Sequence, residues 1–201
     1  MRQLTQVETS GGPKGPGPGL PGLPGRITVR EVGPRDGLQP EEPVGVSARV
    51  ALVERLVQAG VTTIEAGAFV SPRAVPAMAG AGAVMSGIER HPGVAYTALV
   101  PNVRGAARAV SAGVDGLSVT VSASEAYSQR NVRMSVDESV AEVAAIRRAV
   151  GDDMPIDTVI SCAFGSPDDG DIAPAEVAAL GARAIEGGST SLTYADTTGM
   201  A

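Results

Sequence analysis

The chain has 201 residues and a formal net charge of −6, and 43% of its residues are hydrophobic although only 2% are aromatic. This length allows one sizeable domain, whose core must be built mainly from Ala, Val, Leu and Ile. The negative charge argues against nucleic acid as a partner, because phosphate binding requires a basic surface. No apolar run is long enough to cross a membrane. The single cysteine, Cys162, excludes an internal disulfide, and with one histidine, His91, a zinc site of Cys and His ligands is not expected.

Residues 1–25 differ in composition from the rest of the chain. Between positions 11 and 25 almost every residue is Gly or Pro, so the segment cannot bury enough apolar surface to offset the entropy lost on ordering. It lacks both the apolar stretch of a signal peptide and the Arg-rich pattern of a transit peptide. We therefore predict a disordered Gly/Pro-rich tail over residues 1–25, one folded domain over 26–201, and a cytoplasmic location.

From residue 27 onward, strand-like and helix-like segments alternate. Apolar, β-branched runs begin near residues 27, 62, 94, 114, 156 and 189, and several of the gaps match a βαβ unit of about 30 residues. Alternation of this kind predicts a parallel sheet with helices on its faces. A closed eight-stranded barrel and an open doubly wound sheet are the two candidates. The absence of a G-x-G-x-x-G motif after the first strand argues against a dinucleotide-binding sheet.

The helices between these strands are marked by their termini. Ser47 is the predicted start of the first helix, and Asn102 is a predicted N-cap. Ser135 and Glu138 have the spacing of a capping box, and Pro174 suits a first helical turn. The segment between residues 122 and 134 is predicted to be a long loop.

Polar side chains follow the predicted C-terminal ends of the strands, where parallel α/β folds place their chemistry. Arg35 and Asp36 could form an ordinary surface pair, and Asp196 could be a turn residue. Glu65 follows an apolar strand, and a buried carboxylate is costly unless it is paired. An ion pair between Glu65 and Arg35 is therefore expected. The polar residues at these strand ends include Arg35, Asp36, Gln39, Glu65, Asn131 and Asp196.

These residue types suit one kind of reaction. Asp36 is a hard oxygen ligand for a divalent cation, and the adjacent Arg35 can stabilise an oxyanion. Such a pair suits aldol or Claisen chemistry, although one carboxylate does not complete a metal site. His91 precedes the third strand and is expected at the opposite end of the sheet.

Several strings of the chain resemble the hydroxymethylglutaryl-CoA lyase family. The most specific is EVGPRDGLQ at residues 31–39. The similarity runs in order over residues 27–201, and the wider superfamily includes isopropylmalate-type synthases. The other strings that carry the resemblance are Ile64-Glu65, Phe69 to Pro72, Ala123 to Glu125 with Asn131, Ser161 to Ala163, and Asp196 to Gly199.

The resemblance implies a (β/α)8 TIM barrel that cleaves 3-hydroxy-3-methylglutaryl-CoA to acetyl-CoA and acetoacetate. It implies that Asp36 binds Mg²⁺ or Mn²⁺ and that Arg35 stabilises the thioester enolate. Glu65 and Asp196 are implied with Arg35 as the catalytic residues. An acyl-CoA substrate is the implied partner, and a homodimer is a further expectation. The residues implied to contact substrate are Arg35, Gln39 and Asn131.

The chain also departs from the family pattern. It lacks the later His-x-His pair and asparagine that supply further metal ligands, and the cysteine of a Gly-rich loop. We therefore expect an incomplete barrel of about six βα units, truncated after the sixth strand, with little or no lyase activity by itself. A related acyl-CoA lyase, an isopropylmalate-synthase-type condensing enzyme and a non-catalytic remnant that binds a partner are the alternatives.

Overall fold

The computed structural model describes residues 27–201, so the predicted tail lies outside the described part. Within the described residues, six parallel strands form one sheet in which each strand pairs with its neighbours in sequence. This order favours the barrel over a doubly wound sheet, because a doubly wound sheet reverses its strand order. The strands are β1 (Arg30–Glu31), β2 (Thr63–Ala68), β3 (Ala95–Leu99), β4 (Gly116–Ser122), β5 (Ile156–Ser161) and β6 (Ser191–Tyr194).

The sheet is curled, as one contact between distant strands shows. Arg30 on β1 donates from Nη1 to Asp157 Oδ2 on β5 at 2.8 Å. In a flat sheet these strands would lie about 19 Å apart, at about 4.8 Å per spacing, which no arginine side chain can bridge. The fold is therefore an incomplete TIM barrel with six strands, as the sequence predicts.

Helices connect the strands, and most of their predicted ends are confirmed. Asn102 accepts a hydrogen bond from the Gly105 N–H at 2.9 Å, and Ser135 and Glu138 form the capping box. Ser47 is not a cap, since its helix begins at Val46. The helices are α1 (Val46–Gln58), α2 (Ala81–Gly87), α3 (Val103–Ser111), α4 (Glu125–Asn131), α5 (Val136–Val150) and α6 (Pro174–Glu186). No helix of residues 27–201 combines the length and apolar content of a membrane span.

Two further sequence predictions of local structure are wrong. The expected loop between residues 122 and 134 contains α4, whose N-cap Ser124 accepts from the Tyr127 N–H at 3.0 Å. A seven-residue helix is too short to show a clear hydrophobic period. The first strand begins at Arg30 rather than near residue 27, because β2 supplies partners only for Arg30 and Glu31.

The core lies between the sheet and its helices and is built from small aliphatic side chains. Ile64, Val84, Ile146 and Ile160 are fully buried. The packing is close where α6 meets β6, since a Cβ added at Gly181 would lie 2.9 Å from Leu192 Cδ1. Close approach of helix and strand compensates for the lack of large aromatic side chains.

Asp157 is the centre of a polar cluster on the concave side of the sheet. Besides Arg30, it accepts hydrogen bonds from Ser191 Oγ at 2.6 Å and Thr193 Oγ1 at 2.8 Å. Burial would raise the pKa of Asp157, but the hydrogen bonds from Arg30, Ser191 and Thr193 outweigh burial and hold this pKa below its usual value. The cluster therefore joins β1, β5 and β6 through one ionised carboxylate.

Replacing Asp157 by Asn is expected to lower the free energy of unfolding at pH 7 by about 2 kcal/mol, because charge-assisted hydrogen bonds are lost. Since the folded-state pKa is depressed, this stabilisation is present above the unfolded-state pKa of about 3.9 and is lost as the pH falls through the lower folded-state value. Urea denaturation between pH 7 and pH 2.5 measures both effects. Asp152→Asn in an exposed turn is the control, and an equal effect of the two substitutions would contradict the role of Asp157.

Candidate active site

The expected ion pair between Glu65 and Arg35 is present at the C-terminal end of the sheet. Arg35 donates from Nε to Glu65 Oε1 and from Nη1 to Asp36 Oδ1, the latter at 2.5 Å. The Glu65 side chain is 1% exposed and that of Asp36 is 61% exposed. One guanidinium is therefore held between a buried carboxylate and a solvent-facing one.

The chain positions Arg35 through a five-residue π-helical turn, Gly33–Gly37, directly after β1. The Gly33 N–H donates to Glu31 Oε1 at 2.6 Å, and a Cβ at Gly33 would lie 2.8 Å from that oxygen. The Asp36 N–H donates to the Val32 carbonyl at 2.7 Å. The absence of a side chain at Gly33 thus permits the tight turn that directs Arg35 towards β2.

Glu65 has a second partner that sequence reasoning missed. Ser118 on β4 is buried and donates from Oγ to Glu65 Oε2 at 2.5 Å. The pairing of β2 with β3 is irregular between Glu65 and Gly67, and such bulges often re-aim side chains beside functional sites. The only sequence signal for Ser118 is a hydroxyl residue within an apolar strand.

The arrangement leaves part of Arg35 available to a ligand. Its described hydrogen bonds use Nε and Nη1, so within residues 27–201 the Nη2 group has no protein acceptor. A guanidinium fixed by two carboxylates presents this donor with little loss of rotamer entropy. The geometry suits an oxyanion that develops during a reaction.

The other predicted site residues lie at the same end of the sheet but outside this ion-pair network. Gln39 and Asn131 are exposed, and Asp196 accepts the Met200 N–H at 2.8 Å. Among the described hydrogen bonds and ion pairs, none joins these three side chains to Arg35 or Glu65. Their assignments as substrate-binding or catalytic residues stay predictions.

The helix α4 brings a tyrosine to this end of the sheet. Burial raises the pKa of Tyr127, and the nearby Cys162 and Asp36 groups raise it further. This phenol is therefore neutral at pH 7 and is close enough to Asp36 to sense its charge. Sequence reasoning missed Tyr127 because it predicted a loop where α4 lies.

The loops after β4, β5 and β6 are tied together around the site. Arg130 on α4 makes two 2.6 Å hydrogen bonds to the Asp168 carboxylate in the loop after β5. The Cys162 N–H donates to Thr197 Oγ1 at 3.0 Å, and Thr198 Oγ1 donates to the Gly165 carbonyl at 2.9 Å. Cys162 is buried, and burial raises the pKa of its thiol.

The site provides one candidate metal ligand. Asp36 is exposed, and its Oδ2 has no protein partner among the described hydrogen bonds; Mg²⁺ is commonly held by one or two carboxylates together with water. Asp36 therefore fits as a single ligand. The described residues do contain one group of three metal-ligating side chains, Glu54, Glu89 and His91. That group lies on α1 and just before β3, at the N-terminal end of the strands.

Replacing Ser118 by Ala is expected to lower the free energy of unfolding by about 1–3 kcal/mol, because a buried charged oxygen of Glu65 loses its donor. Ser111→Ala is the matched control, since Ser111 is exposed and within residues 27–201 its hydroxyl bonds only to the Ala107 carbonyl of its own helix. Chemical denaturation of both variants measures the difference. Equal stability of the two variants would contradict the buried hydrogen bond.

Comparison with known proteins places this chain in a family. The HMGL-like family model matches residues 26–201. A Pseudomonas aeruginosa 3-hydroxy-3-isohexenylglutaryl-CoA/hydroxy-methylglutaryl-CoA lyase is 41% identical over 180 residues, which cover 89% of this chain and 60% of that protein. The hydroxymethylglutaryl-CoA lyase of Pseudomonas mevalonii is 43% identical over 175 residues, 86% of this chain and 58% of that protein.

Solved structures agree with the sequence comparison. The crystal structure of hydroxymethylglutaryl-CoA lyase from Pseudomonas aeruginosa has a TM-score of 0.86 at 40% identity, covering 89% of this chain and 60% of that one. An HMG-CoA lyase from Acinetobacter baumannii, in complex with coenzyme A and 3-methylmalate, has a TM-score of 0.84 at 37% identity, covering 87% and 58%. The chain thus spans about 60% of the length of these relatives. On sequence and fold together, the chain belongs to the HMGL-like family.

Proposed function

We propose that this chain carries the oxyanion-stabilising part of a carbon–carbon lyase that cleaves 3-hydroxy-3-methylglutaryl-CoA to acetyl-CoA and acetoacetate. The observation that carries the proposal is the Arg35 guanidinium, which is fixed by Glu65 and Asp36 and whose Nη2 has no acceptor within residues 27–201. The names of the relatives support the substrate class. The lyase complex with coenzyme A supports an acyl-CoA partner.

The cleavage reaction requires a hydrogen-bond donor such as Arg35 Nη2 at the oxygen on which negative charge develops. The bond between C2 and C3 of the substrate breaks, and its electron pair forms the enolate of the acetyl thioester. The 3-hydroxyl loses its proton and becomes the ketone of acetoacetate, while the enolate later takes up a proton at C2. Negative charge collects on the thioester oxygen, where a preorganised guanidinium lowers the barrier. Arg35 is assigned to that oxygen.

The other residues at this end of the sheet have positioning, catalytic or substrate-binding roles in this proposal. Glu65 and Ser118 hold Arg35 in place from the buried side. Asp196, at the end of β6, is assigned to the substrate hydroxyl region as a catalytic residue. Gln39 and Asn131 are assigned to substrate contact because both are exposed at the same end of the sheet.

Asp36 would hold a divalent cation, Mg²⁺ or Mn²⁺, through one carboxylate oxygen. When bound, such an ion polarises a hydroxyl or carbonyl oxygen of the substrate. The Asp36 carboxylate also accepts a hydrogen bond from Arg35, so it sets the orientation of the guanidinium with or without the ion. The exposed position of Asp36 allows an ion and its water ligands to approach.

A related substrate is a second candidate. The Pseudomonas aeruginosa relative is named for both 3-hydroxy-3-isohexenylglutaryl-CoA and the methyl compound. The same cleavage applies to both, because the 3-alkyl group does not take part in the electron movement.

Assembly into a homodimer and a cytoplasmic location are further proposals; the relatives carry both cytoplasmic and mitochondrial names.

Arg35→Met is expected to lower the rate of cleavage by about 100-fold or more, because the developing oxyanion loses its donor. Formation of acetyl-CoA is measured by chromatography with the full chain. It is also measured with a chimera in which residues 27–201 replace the matching segment of the Pseudomonas mevalonii relative. Arg104→Met on the exposed side of α3 is the control. A folded chimera that cleaves neither substrate would contradict the proposal and favour the non-catalytic or condensing alternative.

Asp36→Asn is expected to raise the Mg²⁺ or Mn²⁺ concentration for half-maximal activity by about tenfold or more, because a ligand is lost. Titration of each ion into the metal-free chimera measures this concentration. Asp152→Asn should leave it unchanged. An unchanged metal dependence of the Asp36 variant would remove Asp36 from the metal site.

A further inference from the structure

The clearest feature outside the candidate active site is a cluster of three metal-ligating side chains at the opposite end of the strands. Glu54 comes from α1, whereas Glu89 and His91 come from the connection between α2 and β3. One ligand atom of each side chain lies within 4.8 Å of those of the other two. We propose that these three residues bind Zn²⁺ at a site separate from Arg35 and Asp36.

The separation of His91 and Glu54 is slightly shorter than what two ligands of one ion require. His91 Nε2 lies 3.1 Å from Glu54 Oε2. Two ligands at Zn²⁺ bond lengths of about 2.0–2.2 Å in a tetrahedron lie about 3.3–3.6 Å apart. A small outward movement of either side chain is therefore enough to admit the ion. Glu89 is exposed, so its carboxylate can rotate towards the ion without disturbing the core.

The backbone around the cluster is already organised. The Glu89 N–H donates to Glu54 Oε1 at 2.8 Å, which leaves Oε2 facing His91. The buried Tyr96 donates its hydroxyl to the Glu89 carbonyl at 3.1 Å. These two bonds attach the connection both to α1 and to β3. A site whose ligand-bearing segments are held in place loses less entropy on binding.

The local charges favour a cation. Glu54 and Glu89 place two carboxylates close together, and within residues 27–201 neither forms an ion pair with an arginine. Arg90, which lies between Glu89 and His91 in sequence, pairs with Asp115 instead, with Nη1 3.0 Å from Asp115 Oδ2 and its guanidinium 4.9 Å from the centre of the Tyr96 ring. A bound divalent ion would replace carboxylate repulsion by attraction.

The donor set selects the ion. One imidazole nitrogen and two carboxylate oxygens, with a fourth position for water, are typical Zn²⁺ ligands. Mg²⁺ prefers an octahedral shell of oxygens and is poorly served by a histidine. The composition of the chain argues only against zinc sites made of Cys and His ligands. The cluster differs from such sites because carboxylates supply two of its three ligands. A bound ion would link α1 to the segment before β3 and stabilise the folded state.

The test uses the full chain, whose only histidine is His91, so its imidazole gives one side-chain NMR signal to follow. Zn²⁺ titration is expected to shift this signal and to give one binding event by calorimetry. His91→Gln, Glu54→Gln and Glu89→Gln are each expected to weaken this binding by about tenfold or more. Mg²⁺ should not shift the signal. Asp36→Asn and the exposed control Glu176→Gln should bind Zn²⁺ as the unmodified chain does.

Three results would overturn the proposal. The first is an imidazole signal that does not respond to Zn²⁺, and the second is unchanged binding in folded His91 and Glu54 variants. The third is Zn²⁺ binding that is lost only in Asp36→Asn, which would assign the ion to the candidate active site instead. Circular dichroism verifies the fold of each variant, and the exposed Glu89 provides a variant that does not disturb packing. Loss of lyase activity would test the proposed lyase function of Arg35. It would not change the Zn²⁺ binding measured at Glu54, Glu89 and His91.

Discussion

The Glu65 carboxylate is the charge around which the C-terminal end of the sheet is organised. It is almost completely buried on β2, and such a group is stable in its ionised form only when hydrogen-bond donors and an opposite charge surround it. Arg35 provides the charge and Ser118 provides a second donor. Because these partners come from the turn after β1 and from β4, the single carboxylate on β2 links three parts of the barrel, two of which are strands separated by β3. The same contacts aim Arg35 at the mouth of the sheet.

A second polar cluster around Asp157 complements the first. Arg30 pairs with Asp157 across the concave side of the sheet, and the Glu65 carboxylate also contributes to the electrostatic environment of Arg30. The hydrogen bond with Asp157 raises the pKa of Arg30 although burial opposes it. Two arginines and two buried carboxylates thus balance one another inside the curled sheet. The curvature of the fold and the placement of Arg35 therefore depend on linked electrostatic interactions.

The sequence was most informative about structural features that depend on residues close together in the chain. The alternation of strands and helices, the cap at Asn102 and the capping box at Ser135 are visible in short segments, and all three are confirmed. The pairing of Glu65 with Arg35 could be predicted because a buried carboxylate needs a partner, although Glu65 lies within β2 rather than after it as predicted. Ser118 and Asp157 could not be assigned in this way, since their roles arise from contacts with residues far away in sequence. The helix α4 was missed because its signals amount to one cap and two turns.

Arg35 and Glu65 form one ion pair on which the proposed chemistry depends. A double-mutant cycle with Arg35→Met, Glu65→Gln and the double variant, followed by urea denaturation, measures the coupling within that pair directly. We expect the two substitutions to be coupled by about 1–3 kcal/mol, because removing either partner already leaves the other without its ion pair. Effects that add to within about 0.5 kcal/mol would contradict the account.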